Sequence, residues 1–209
     1  MSRNPALPPL RSVTVLYLGS LAAAAVSTAA ALIAVATAPT SGRILLGVAL
    51  TAGAILASLF PINFGHRTFI TLDHVALVPA VLLFDPGIAV LIAGASVLIT
   101  HFLRRRAYWL EPPLRRTTWA ETIFNASSAM LQMAAAGMVL AGIGWDYRQP
   151  KFELPMPLVA LAVAGSVMYA INRLAFSGVV SFQEGIPLAT VFYDSTVGRQ
   201  PAEHLQYLA

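Results

Sequence analysis

Residues Leu103 to Arg116 read LRRRAYWLEPPLRR, which sets Arg104, Arg105, Arg106, Arg115 and Arg116 between two long apolar runs. Short loops rich in Lys and Arg stay on the cytoplasmic side of a bilayer, so a basic cluster in this setting is a topology signal. Tyr108 and Trp109 are candidate interfacial aromatics, and Pro112-Pro113 stops one continuous helix from running through. The stretch thus predicts an inner loop, and the rest of the threading is counted from it.

Composition supports a bilayer setting. Of 209 residues, 57% are hydrophobic and 11% charged, with a mean hydropathy of +0.73; a soluble domain carries about 25% charged residues. The net charge of +4 comes largely from the arginine stretch, so it reads as topology and argues against a nucleic-acid footprint. The opening MSRNPALPPLR and the small residues Ala36-Thr37-Ala38 imitate a signal peptide. The uncharged run 13–42 is far longer than a signal core of roughly 7–15 residues, which makes it a retained first helix.

The expected fold is all-α, a polytopic transmembrane bundle of about six helices over 13–38, 44–60, 70–84, 88–103, 122–143 and 158–181. The third and fourth form a short hairpin turned at Asp85-Pro86-Gly87, where Pro fixes φ and Asp bonds the turn backbone. Each arm reaches only about 22–24 Å, short of the ~30 Å hydrocarbon core, so the pair is either a thin tilted hairpin or a re-entrant one. Counting back from the arginines puts the N-terminus, with Arg3 and Arg11, in the cytoplasm, and Arg67 with it. Arg43, Arg148 and Lys151 face out. Residues 182–209 read as a cytoplasmic tail or as the start of a further helix cut short.

Polar groups within the spans are the functional candidates, because burying them in lipid is expensive. Asp73 and His74 form a pair able to hold a cation or relay a proton, with solvation and helix capping as the plainer role. Asn125, Ser128 and Gln132 share one face of the fifth helix, as interhelical glue or as a pocket lining. Asn172 and Arg173 interrupt the sixth; Arg173 either snorkels to the headgroups or serves as a buried counter-charge. Gly19, Ala23, Ser27 and Ala31 recur at every fourth position of the first helix, a stripe suited to close approach by another helix. It would serve a homodimer or other membrane subunits.

Catalytic signatures are missing. The chain has no cysteine, and His66, His74, His101 and His204 do not fall at metal-ligand spacing. HExxH, GxSxG, P-loop and GxGxxG patterns are absent. The expectation is a chain without metal or cofactor that is not itself an enzyme.

A softer pattern overlies this reading: Pro61 after a helix, an apolar hairpin turned at Asp85-Pro86-Gly87, Arg104 to Arg106, Phe124-Asn125, and Tyr169 to Asn172. Across 59–182 it resembles the multi-pass membrane-associated sensor regions of bacterial signalling proteins. The resemblance implies a non-catalytic sensory input module in the inner membrane, binding a small ligand and followed by a cytoplasmic output domain such as an HD-type phosphohydrolase or a diguanylate cyclase. The sequence stops before any output domain. Two alternatives stay open: a small-solute-binding subunit similar to those of energy-coupling-factor transporters, and an accessory subunit of a membrane complex.

Overall fold

A computed structural model describes residues 10–60, 62–63, 69–70, 74–106, 118–150 and 153–197. The helices are α1 (Ser12–Val35), α2 (Ser41–Leu59), α3 (His74–Leu83), α4 (Pro86–Arg106), α5 (Trp119–Gly142), α6 (Met156–Glu184) and α7 (Leu188–Val197). A two-residue antiparallel ladder pairs Ile62 with Ile70 and Asn63 with Phe69. Five helices, α1, α2, α4, α5 and α6, are long and apolar enough to cross a membrane. The molecule is the helical bundle that its composition demands.

Helix ends follow local chemistry. At α5 Thr118 accepts from the Glu121 N–H while Glu121 accepts from the Thr118 N–H, a reciprocal capping box. Pro86 opens α4, where its missing N–H costs nothing, and the Asp85 carboxylate accepts from the Gly87 N–H at 3.1 Å. Gly185 ends α6 at φ 74°, a left-handed conformation that strains any residue with a Cβ.

Helices α4 and α5 form the centre, with Val81 of α3, Val90 of α4 and Met133 and Leu140 of α5 fully buried. In contrast α1 and α2 keep Val15, Leu16, Val26, Leu45 and Val48 exposed, the surface a hydrocarbon solvent accepts. The start of α4 is wedged between its neighbours: a Cβ at Gly87 would lie 2.7 Å from the Leu32 carbonyl oxygen of α1, and one at Gly137 of α5 would lie 2.9 Å from the Pro86 ring.

Hydrogen bonds between elements tie two ends together. At the arginine-bearing end Arg104 donates to the Ser58 carbonyl at 2.6 Å, and Thr14 donates to Gln183 at 3.1 Å. At the opposite end Arg43 donates to the Arg148 carbonyl at 2.9 Å, and Trp145 donates to the Leu82 carbonyl at 2.8 Å. The N-terminal end of α1 therefore shares a side with the C-terminal ends of α2, α4 and α6.

The expected hairpin of two equal short arms is corrected. Helix α4 has 21 residues and runs through Arg104 to Arg106, about 32 Å at 1.5 Å per residue. Arginine is a strong helix former and its charge suits a helix C-terminus, so the basic run prolongs the helix. Helix α3 has only ten residues, about 15 Å. Ahead of it, Phe69 and Ile70 are committed to the ladder. Ser58 lies at the arginine-bearing end and Leu82 at the other, so α2 and α3 finish at opposite ends of the bundle. Beyond α6, α7 packs back on it through Val191, so 188–197 form a helix of their own.

Candidate functional site

The polar residues of α5 and α6 meet the start of α3 at mid-depth. Gln132 sits about 20 Å along α5 from Trp119 and about 15 Å from Gly142. Its side chain is buried, and its Oε1 lies 3.2 Å from His74 Nε2. An amide oxygen only accepts, so this pairing assigns the proton to Nε2. The Gln132 amide nitrogen donates to Ser128 Oγ at 3.1 Å and, at the long limit of 3.5 Å, to Asn172 Oδ1 of α6. Ser128 also donates to Asn172 Oδ1 at 3.5 Å. Three helices are thereby joined by one network: α3 through His74, α5 through Ser128 and Gln132, and α6 through Asn172.

Its placement follows from the chain. Ser128 and Gln132 are one turn apart on α5 and so fall on one face. Non-helical backbone at membrane depth persists only where protein or a cavity surrounds it, and broken helices gather at binding sites for that reason. In a hydrocarbon setting each interhelical hydrogen bond contributes about 0.6 kcal/mol, up to ~1.7. The arrangement offers no nucleophile paired with a base among these four side chains.

The other sequence candidates are placed as follows. Asn125 is exposed and stays outside the network. It sits two turns from Gln132, about 10 Å nearer the arginine-bearing end. Arg173 lies with its guanidinium 5.0 Å from the Tyr169 ring centroid, one turn back on α6, and not on Asn172. Its Nε is buried without a hydrogen-bond partner. Asp73, Arg115 and Arg116 lie outside the described residues. Arg104 is spent on Ser58, while Arg105 and Arg106 are exposed. Gly19, Ala23, Ser27 and Ala31 all face outward, the inward face of α1 being Thr14, Leu18, Ala25 and Ala29. Among the described residues no group of His, Asp and Glu could hold a metal ion.

No family model, curated protein or solved structure matches this chain.

Two further polar assemblies frame the bundle. At the arginine-bearing end His101 of α4 is buried against Thr122 of α5, Nδ1 to Oγ1, with its ring 4.5 Å from that of Trp119. At the other end Trp145 and Tyr147 turn inward: Trp145 is buried, and the Tyr147 hydroxyl donates to the Gly137 carbonyl. Burial, with the Asp85 carboxylate nearby, raises the Tyr147 phenol well above its usual range. Sequence alone missed these partners because aromatic residues beside a span satisfy the interfacial rule and the inward-facing rule equally well.

Proposed function

We propose that this chain is the membrane-embedded sensory input module of a bacterial signalling protein, seated in the inner membrane with its arginine-bearing end in the cytoplasm. The observation that carries the reading is the network joining His74, Gln132 and Asn172 across three helices at mid-depth. A small polar ligand that competes for these donors and acceptors changes the packing of α3 against α5 and α6. Helix α6, with 29 residues, is about 44 Å long and runs from beyond the site to the arginine-bearing end, so a shift at Asn172 is delivered there. The exposed stripe of Gly19, Ala23, Ser27 and Ala31 supplies the face for a second copy or another membrane subunit.

The shortness of α3, ten residues, favours a second reading, a solute-binding subunit of a transporter, since short and broken helices hold substrates at mid-depth. One experiment serves both. Thermal unfolding of the purified chain in micelles is followed with single amino acids, short carboxylates and nucleobases, for wild type and for Asn172→Leu. A solute that stabilises wild type but not the variant supports a site here. Co-purification with a paired ATPase would turn the reading to transport, and indifference of wild type to the whole panel would refute ligand binding.

A further inference from the structure

The structure also carries a second, apolar site. A groove of about 480 Å³ runs along the bundle between α1, α5 and α6, lined by Tyr17, Thr28, Ala135, Leu174, Phe182 and Leu188 among others. Its Tyr17 hydroxyl is already engaged, donating to the Ala175 carbonyl at 3.1 Å, and the Tyr17 ring packs on Phe182 with centroids 5.1 Å apart. The lining therefore asks for an apolar occupant. Between Tyr17 and Thr28 α1 climbs about 16 Å, close to the ~15 Å hydrocarbon depth of one leaflet. Left empty, the lining atoms would forfeit their dispersion contacts.

Charge at the mouth selects the occupant. Beyond Tyr17 and Leu188 the groove meets the arginine-bearing end, where the exposed Arg11 lays its guanidinium over Gly185, Nη1 being 2.8 Å from where a Cβ there would sit. The Arg11 backbone N–H donates to Gln183 at 3.2 Å, which holds this part of the chain beside the end of α6. A guanidinium at the mouth of a leaflet-deep apolar groove matches a phosphate above an acyl chain. We propose that the groove binds one anionic phospholipid of the arginine-side leaflet, its acyl chain between α1 and α6 and its phosphate on Arg11.

The test is a lipid titration of the purified full chain in nonionic micelles, read by thermal unfolding and by native mass spectrometry. Dioleoyl phosphatidylglycerol is compared with dioleoyl phosphatidylcholine for wild type, Arg11→Gln, Ala135→Phe and Leu98→Phe. Wild type should prefer phosphatidylglycerol about fivefold, the equivalent of the roughly 1 kcal/mol attraction of one arginine to an anionic surface. Arg11→Gln should erase that preference. Ala135→Phe, which fills the groove, should lose the response to both lipids, while Leu98→Phe, on the exposed face of α4, should respond as wild type. Equal affinity of wild type for the two lipids, or an Ala135→Phe response matching wild type, would overturn the proposal. Should Ala135→Phe not fold, the surface variant Arg11→Gln decides: unchanged retention of phosphatidylglycerol in its mass spectrum also overturns it.

Discussion

Replacing Gln132 by Leu keeps the side-chain size and removes its polar end. Three hydrogen bonds go with it, to His74, Ser128 and Asn172. The Ser128 bond lies within α5 and is regained by other local partners, so the loss to helix association rests on the other two. At about 0.6 kcal/mol per interhelical bond in a membrane protein, the pair gives ~1.2 kcal/mol. The 3.5 Å length to Asn172 lowers that share, and the exposed His74 carries no burial penalty when its partner is removed. The expected net destabilisation is about 1 kcal/mol. At roughly 2–4 °C per kcal/mol for a chain of this size, the melting point in micelles should fall by about 2–4 °C. A double-mutant cycle of Gln132→Leu with His74→Phe isolates the pair, and a coupling of about 0.6 kcal/mol is expected. A Gln132→Leu variant as stable as wild type, with no coupling to position 74, would refute the network as a force holding α3 in place.

Other consequences are as direct. Gly137→Ala drives a methyl group to 2.9 Å from the Pro86 ring and should cost about 1–3 kcal/mol by overpacking, read as a lower melting point. Thr118→Ala removes the capping box of α5 and should cost about 1 kcal/mol, with faster amide exchange confined to its first turn. The raised Tyr147 phenol stays protonated in the folded chain after the unfolded chain has begun to ionise, so stability should hold below pH 10.0 and fall as pH rises above it. Tyr147→Phe should flatten that alkaline fall while costing about 1 kcal/mol at neutral pH for the lost bond to Gly137.

Much of the fold was legible because its causes are local. Residue apolarity and length fix which segments can span, and Asp85-Pro86-Gly87 fixes the turn before α4. What escaped was the uneven division of the hairpin. Residues 70–84 are apolar enough for one helix, but the pairing of Phe69–Ile70 with Ile62–Asn63 is a contact across the chain that no periodicity announces. The candidate site was legible in part. Gln132 and Asn172 were singled out as polar groups in apolar runs and do meet, and His74 meets them. Asn125 carries the same sequence signal as Gln132 and yet is exposed, because the signal gives an angle around the helix and not a height along it. The groove beside α1 left no trace in sequence, since a missing side chain between Ala135 and Ala175 looks like any alanine-rich stretch.

The shortness of α3 also bears on how the protein is made. A stretch of ten helical residues falls well short of the ~20 that insertion into a bilayer needs. Helix α4, closed by its arginines, carries the full signal, so the thread of the chain is set by its neighbours while α3 takes its place afterwards by packing.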